Sequence, residues 1–206
     1  WGDRLFRMRW IEKYCEKLLS FPLEITGQTR INFNVKMDGV FTMKSKKTGK
    51  KTLWLFETKC KSMVNEQRAL ASLPLSLQNN LYLIALREIT GKMPRGVMYN
   101  IIRRPGIYLR KNEDLRDYRD RIREDVQKRP KFYFMRWRLR AEREELDRSM
   151  SDLKAIVQEY LKWYEGKRPH YRNTAECEGK YGLCTYLPIC SEGDYGMFHN
   201  TYRGNR

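Results

Sequence analysis

Apolar residues at Leu5, Met8, Ile11, Cys15, Leu18 and Leu19 recur at helical spacing, and Phe21-Pro22 closes the run, so positions 5–19 are predicted to form a helix. Ile31, Phe33, Val35 and Met37 alternate with polar neighbours, which predicts a strand over 31–43. The polar, glycine-containing stretch 44–51 reads as a turn, and the aromatic-rich run 53–60 reads as a second strand, so the two strands make a β-hairpin. Positions 74–90 are helical by period, with Pro74 in the first turn and Gly91 just past the end. The apolar run 96–102 predicts a buried strand, cut off by Arg103-Arg104-Pro105-Gly106. A charged helix over 113–128, a short strand over 132–139 and a long helix over 141–165 follow, and the final residues, rich in Gly, Tyr, Asn and Cys, lack any period. This order predicts an α/β domain with a central mixed β-sheet flanked by helices, occupying 1–170, and a loop-like C-terminal segment over 171–206.

The length of 206 residues fits one ordinary domain with a small appendage. Lys and Arg number 42 against 25 Asp and Glu, a formal charge of +17, while 13% aromatic residues argue against a disordered basic tail. A folded domain with that surplus of cations repels itself unless a polyanion is bound, and nucleic acid is the usual one. The longest apolar stretches, such as Leu81 to Leu86, fall far short of the roughly 18 residues a membrane span needs, so no membrane partner is expected. No signal-peptide pattern precedes the fold, and a cytoplasmic location is the expectation, although the chain begins at Trp1 rather than Met. Five cysteines are present, with Cys177, Cys184 and Cys190 grouped near the end, which suggests metal binding more than a disulfide framework.

The candidate chemistry starts at Asp38-Gly39 on the first hairpin strand and Glu57-Thr58-Lys59 on the second. Strand alternation puts Glu57 and Lys59 on one face, and the hairpin brings Asp38 beside Glu57. Two carboxylates at close range repel unless a divalent cation sits between them, and oxygen ligands with retained waters select Mg²⁺ or Mn²⁺. Lys59 beside such a centre can orient a water and stabilise charge building on a phosphodiester. The competing reading is an exposed ion-pair ladder. The apolar run Leu53-Trp54-Leu55-Phe56 just before Glu57 argues for a buried central strand instead.

Cys177-x6-Cys184-x5-Cys190 lies among Gly179, Gly182 and Pro188, and thiolates select zinc or iron–sulfur clusters, both of which usually take four ligands. A zinc site would draw on His170 or His199. Cys15 and Cys60 read as core thiols, Cys15 being the one upstream candidate for a fourth ligand within the chain. Between Arg103 and Arg148 there are sixteen Lys and Arg and ten Asp and Glu, and most of this charge is expected to pair along helix faces. Arg136, Arg138 and Arg140 alternate on one strand face, so they can track a phosphate backbone beside the aromatic residues Phe132, Phe134 and Trp137. Lys46, Lys47, Lys50 and Lys51 of the hairpin turn form a second basic candidate. Both basic groups are expected to flank the acidic pocket, although long cationic stems can simply cover apolar surface.

Taken together, Asp38-Gly39, Glu57-x-Lys59 and Gln78-Asn79-Asn80-Leu81-Tyr82 resemble the PD-(D/E)XK nuclease superfamily, and the Gln-x-x-x-Tyr element is similar to its RecB-like exonuclease branch. The segment 96–106 and the terminal cysteines look like phage-encoded members. The resemblance implies a restriction-endonuclease-like core with a C-terminal cysteine-ligated loop segment. It implies a Mg²⁺-dependent deoxyribonuclease, an exonuclease, acting in phage DNA recombination, repair or replication in the bacterial host cytoplasm, with DNA and a recombination or replication protein as partners. By the same resemblance Asp38 and Glu57 ligate the metal with the Thr58 carbonyl, Lys59 is the catalytic lysine, and Gln78 and Tyr82 orient the site and touch the DNA backbone. It also implies a [4Fe-4S] cluster on Cys177, Cys184 and Cys190, the fourth ligand being Cys15 or a residue ahead of Trp1. Members of this branch commonly add a ligand upstream of the first strand, a place that Glu16 or Glu24 would have to fill if it does not precede Trp1. The alternative is a DNA-binding subunit with a degenerate nuclease site and a structural metal clasp.

Overall fold

The structure, a computed structural model, describes residues 8–44, 48–169, 172, 174–179, 182–193 and 196. Contacts divide the chain into two units, Trp1–Gln158 and Glu159–Arg206. The first holds a five-stranded mixed sheet of β1 (Met8–Trp10), β4 (Gly39–Lys44), β5 (Lys51–Lys61), β6 (Gly96–Arg103) and β7 (Phe134–Arg140), side by side in the order β1-β4-β5-β6-β7. Only β5 and β6 run parallel. Parallel neighbours need a crossover, and α1 (Glu66–Ser72), a 3₁₀ turn over Leu73–Leu75 and α2 (Leu77–Thr90) supply it. A separate antiparallel ribbon of β2 (Leu18–Thr26) and β3 (Thr29–Lys36) lies between β1 and β4 in the chain.

Helix ends follow local chemistry. Ser76 Oγ accepts from the Asn79 N–H at the start of α2, and Gly91 ends it at φ 63°. Asp114 caps α3 (Leu115–Lys128) by accepting from the Arg116 N–H. Three of its acids pair with neighbouring cations, as the sequence led one to expect: Glu124 with Lys128, Asp125 with Arg129, and Asp120 with Arg123. Glu113 accepts from Nε and Nη2 of Arg121, which holds its carboxyl down at about 2.

One face of the sheet buries Val40, Leu53, Leu55, Val97, Ile101 and Met135 against Leu83–Leu86 of α2 and against Leu146 and Leu153 of α5 (Arg143–Tyr164), which comes after the short α4 (Pro130–Tyr133) and β7. Phe21, Leu23, Ile25 and Val35 of the ribbon join the same core. The other face carries a smaller cluster of Met8, Phe41, Trp54 and Met98. Leu86 is fully enclosed in the larger core. Leu86→Ala is therefore expected to cost about 2–4 kcal/mol, read as a lower urea midpoint at unchanged slope.

Two expectations are overturned. Positions 5–19 are not a helix where described: Met8–Trp10 is a strand, Glu12–Tyr14 a 3₁₀ turn, and a strand begins at Leu18. Leu19, Phe21, Leu23 and Ile25 alternate inward along that strand, so the period is two. Pro22 is tolerated because β2 pairs on one side only. The single strand expected over 31–43 is two, β3 and β4, which break at Met37-Asp38 and join different sheets.

The second unit contains the C-terminal part of α5, a 3₁₀ turn over Thr174–Glu176, a two-strand pair of β8 (Glu178–Gly179) and β9 (Gly182–Leu183), and α6 (Leu187–Glu192). Tyr160 stacks on Tyr164 with ring centroids 6.2 Å apart. No helix among the described residues is long and apolar enough to cross a membrane.

Candidate functional site

The break between β3 and β4 is what places the first carboxylate. Gly39 pairs with Phe56 across the hairpin, so Asp38, one residue earlier, falls opposite Glu57. Asp38 Oδ2 accepts from the Thr58 N–H at 2.7 Å, which ties the carboxylate to the β5 backbone. Gly39 is needed for a different reason: a Cβ there would stand 2.5 Å from the Trp10 ring, which packs over it.

Glu57 is wholly buried. Its Oε1 accepts from Lys59 Nζ at 2.5 Å and from Gln78 Nε2 at 3.2 Å, while its Oε2 is buried with no hydrogen-bond partner. An orphaned carboxylate oxygen in a closed site is costly, and a cation is the group that would satisfy it. Burial pushes the Glu57 carboxyl above its ordinary range; Lys59 pulls it back, and the charge of Asp38 adds to the rise. Burial lowers Lys59, but its hydrogen bond to Glu57 and the charges of Glu57, Tyr99 and Asp38 together outweigh that and hold the ammonium above its usual value. Gln78, in the first turn of α2, also donates to the Tyr82 hydroxyl at 3.2 Å, one helical turn on. Asp38, Glu57, Lys59, Gln78 and Tyr82 thus form one connected group. Thr58 takes part through its N–H, its side chain lying on the opposite face of β5.

Two neighbours emerge from the register. Tyr99 of β6 lies directly beside Glu57 and stacks on Trp137 of β7, rings 3° from parallel with centroids 6.4 Å apart. Burial raises its hydroxyl, with the charges of Lys59 and Glu57 also acting on it. The second is Glu16, whose charge reaches Glu57. Its backbone sits at φ 52°, uncommon for a residue with a side chain, its N–H donates to the Met37 carbonyl, and its carboxylate pairs with Lys36 at 2.9 Å. Of the two upstream candidates, Glu16 borders the carboxylate pair, whereas Glu24 is exposed on β2 across from Arg30.

The donor set fits a hard, oxygen-seeking cation, because such ions are held by one or two carboxylates and keep several waters. Among the described residues no three or more His, Cys, Asp or Glu side chains converge as a metal-holding group. That statement covers Cys177, Cys184 and Cys190, all free thiols. Cys177 and Cys184 flank the β8–β9 pair, with the Cys184 N–H donating to the Cys177 carbonyl at 2.8 Å, and the Cys190 carbonyl accepts from Arg172. Cys15 is half-buried rather than set in a helix stripe, its sulfur hydrogen-bonded to the backbone of Ile11 and Val40. Cys60 is exposed, not a core thiol. His170 and His199 lie outside the described residues.

The arginine row does not flank the carboxylates. Arg136 pairs in register with Asn100, and Asn100 with Thr58, so Arg136, Arg138 and Arg140 stand on the sheet face opposite Glu57 and Lys59. Asn100 Oδ1 accepts from Arg136 Nε and Nη2 at 3.2 and 3.1 Å, and the guanidinium lies 5.6 Å from the Phe56 ring centre. Burial and the neighbouring Arg138 lower Arg136 from its ordinary value. A cavity of about 250 Å³ opens between Arg136, Arg138, Met8 and Met98. Phe134 shares that face, whereas Trp137 belongs to the Glu57 face. Lys50 and Lys51 are exposed at the hairpin turn; Lys46 and Lys47 lie outside the described residues.

Compared with known proteins, the chain matches no family model and no curated protein.

Proposed function

We propose that this protein is a metal-dependent DNA nuclease whose centre is the Asp38–Glu57–Lys59 group, with the arrangement of a RecB-like exonuclease. The observation that carries the reading is the buried Glu57 whose Oε2 has no partner, facing a second carboxylate fixed to the strand beside it. Asp38 and Glu57 would hold Mg²⁺ or Mn²⁺. Such an ion, when bound, supplies Lewis acidity and a more acidic water. The chain's own residues do the rest. Thr58 N–H fixes the Asp38 carboxylate, and Gln78 fixes Glu57 Oε1 from the α2 side. Lys59, a third exposed at its side chain while Glu57 is closed off, presents an ammonium at the mouth of the site, where an anionic phosphodiester would arrive. Tyr82 and Gln78 form the wall against which the backbone of the strand would rest. The surplus of cations, including Lys50, Lys51 and the arginine row on the far face, suits DNA as the polyanion.

In this reading the terminal cysteines clasp the chain through a [4Fe-4S] cluster or zinc. Their spacing, with Gly179, Gly182 and Pro188 among them, supports a clasp. A second reading is a DNA-binding subunit with a degenerate centre, in which the same surplus of cations holds DNA without cleavage.

The two are separated by incubating linear and circular DNA with Mg²⁺ and by thermal melting with Mn²⁺. A nuclease is expected to degrade linear DNA, and millimolar Mn²⁺ is expected to raise Tm in the natural chain but not in Asp38→Asn, since an ion bound at 100 times its Kd stabilises by about 2.7 kcal/mol. DNA binding with neither cleavage nor a Mn²⁺-dependent melt would leave the binding subunit as the answer.

A further inference from the structure

A second concavity, of about 690 Å³, opens elsewhere in the first unit, with Tyr14, Leu53 and Met93 in its apolar wall. Four cations line it: Lys13 from the 3₁₀ turn, Lys51 from the start of β5, and Lys92 and Arg95 from the α2–β6 loop. No Asp or Glu lines it among the described residues, and none of the four cations has an ion-pair partner among them. The contrast with a neighbouring cavity of about 330 Å³ is direct, since there Arg140 and Arg148 are matched by Glu142, Glu144 and Glu145. The carbonyl end of α2 also meets the larger concavity at Thr90. Its negative character is blunted, because the Leu86 carbonyl accepts from Thr90 Oγ1 at 2.5 Å and the Arg87 carbonyl from the Gly91 N–H at 2.8 Å.

Four cations without an ion-pair partner, of which Lys13 lies over the Tyr14 ring at 4.8 Å from its centre, are drawn together by three separate segments and repel one another, and a concave apolar wall concentrates their field. A ligand that answers this needs several negative charges and an apolar body, and the volume falls in the ~300–1,000 Å³ range of small-molecule sites rather than that of a lone inorganic anion.

We propose that this concavity binds a nucleotide phosphate, with the phosphates on Lys13, Lys51, Lys92 and Arg95 and the base and sugar against Tyr14, Leu53 and Met93. The phosphates come either from a free nucleoside polyphosphate or from the phosphorylated end of a strand. The site is separate from the carboxylate centre: Leu53 precedes Glu57 by four residues on one strand, about 13 Å. It therefore stands whether or not that centre hydrolyses DNA.

The test is calorimetric titration of the full chain in EDTA, which removes divalent cations from the carboxylates, using ATP, a 5′-phosphorylated octanucleotide and the same octanucleotide without the phosphate. ATP is expected to bind with Kd below about 0.1 mM at low salt, and Lys51→Ser/Lys92→Ser to weaken it at least ~10-fold, or about 1.4 kcal/mol. Arg116→Ser/Lys131→Ser removes the same charge from exposed helix positions and is expected to change Kd less than about twofold, as a distant, screened charge should. Lys51→Arg/Lys92→Arg should keep binding, and all variants should melt within about 2 °C of the natural chain, as exposed substitutions do. If ATP fails but the phosphorylated octanucleotide binds better than its partner and depends on Lys51 and Lys92, the source is a strand end. Loss of neither probe in Lys51→Ser/Lys92→Ser, equal loss in Arg116→Ser/Lys131→Ser, or indifference to the terminal phosphate without ATP binding overturns the proposal.

Discussion

Lys59→Ala is expected to lower Mg²⁺-dependent cleavage of linear DNA by at least ~10²-fold, the loss typical of removing one positioned charge or proton-transfer group from a site that excludes water. The geometry makes this the most sensitive single position. Among the described residues, Lys59 Nζ is the one cation paired with buried Glu57, and its ammonium is held above its ordinary value, so it stays charged at neutral pH. Removing it leaves Glu57 Oε1 with the Gln78 amide alone and favours a protonated, uncharged Glu57, which would weaken cation binding as well as transition-state stabilisation. Lys59→Arg keeps the charge on a longer, planar group that cannot reproduce the 2.5 Å contact, so it should recover binding of DNA better than turnover. Single-turnover cleavage of linear DNA, with circular dichroism melts of each variant, separates the effects. Full activity in a folded Lys59→Ala would remove the lysine from the chemistry and the nuclease reading with it.

The parts of the fold legible in the sequence are those whose signals are local. The hairpin of β4 and β5, the capped helices α2 and α3 and the buried strand β6 each carry their own period and punctuation. The first thirty residues do not, because Leu5, Met8, Ile11, Cys15, Leu18 and Leu19 fit a helical spacing by coincidence. The inward alternation of Leu19, Phe21, Leu23 and Ile25 starts only where that pattern ends, and Pro22 reads as a stop although a strand paired on one side accepts it. The carboxylate pair was accessible for the same local reason, since a hairpin fixes its own register, and Gln78 and Tyr82 share a helix face. Tyr99 was not, because its place beside Glu57 depends on a parallel register between residues 42 positions apart (99 − 57). The arginine row was expected to flank the carboxylates for want of the same information: strand alternation groups the three arginines, but only the pairing of β6 with β7 decides which side of the sheet they take. The cationic concavity is assembled from three distant segments, and no stretch of sequence displays it.

That β6–β7 pairing is also where the fold is most vulnerable. Gly96→Ala is expected to destabilise by more than about 3 kcal/mol, a loss reserved for backbone strain and gross steric conflict. Gly96 opens β6 at φ 150°, directly across from Arg140, and a Cβ there would stand 1.9 Å from the Leu139 carbonyl oxygen, 2.9 Å from its carbon and 3.0 Å from Arg140 Cα. All three are backbone atoms, so no rotamer change relieves the clash. The flanking residues cannot shift freely either, because the Arg95 N–H donates to the Leu53 carbonyl at 2.7 Å and the Ala141 N–H to the Arg95 carbonyl at 3.0 Å. Relief must come from parting β7 from β6, which would also remove Trp137 from Tyr99 beside Glu57. At about 2–4 °C per kcal/mol for a chain of this size, Tm should fall by roughly 6–12 °C or more. Gly106→Ala is the matched control: nothing lies within 4 Å of its built Cβ and its φ is not positive, so it should be neutral or stabilising by up to about 1 kcal/mol. A Gly96→Ala chain melting with the Gly106→Ala chain would mean that β7 does not pair with β6 as closely as this, and the assignment of the arginines to the far face would fall with it.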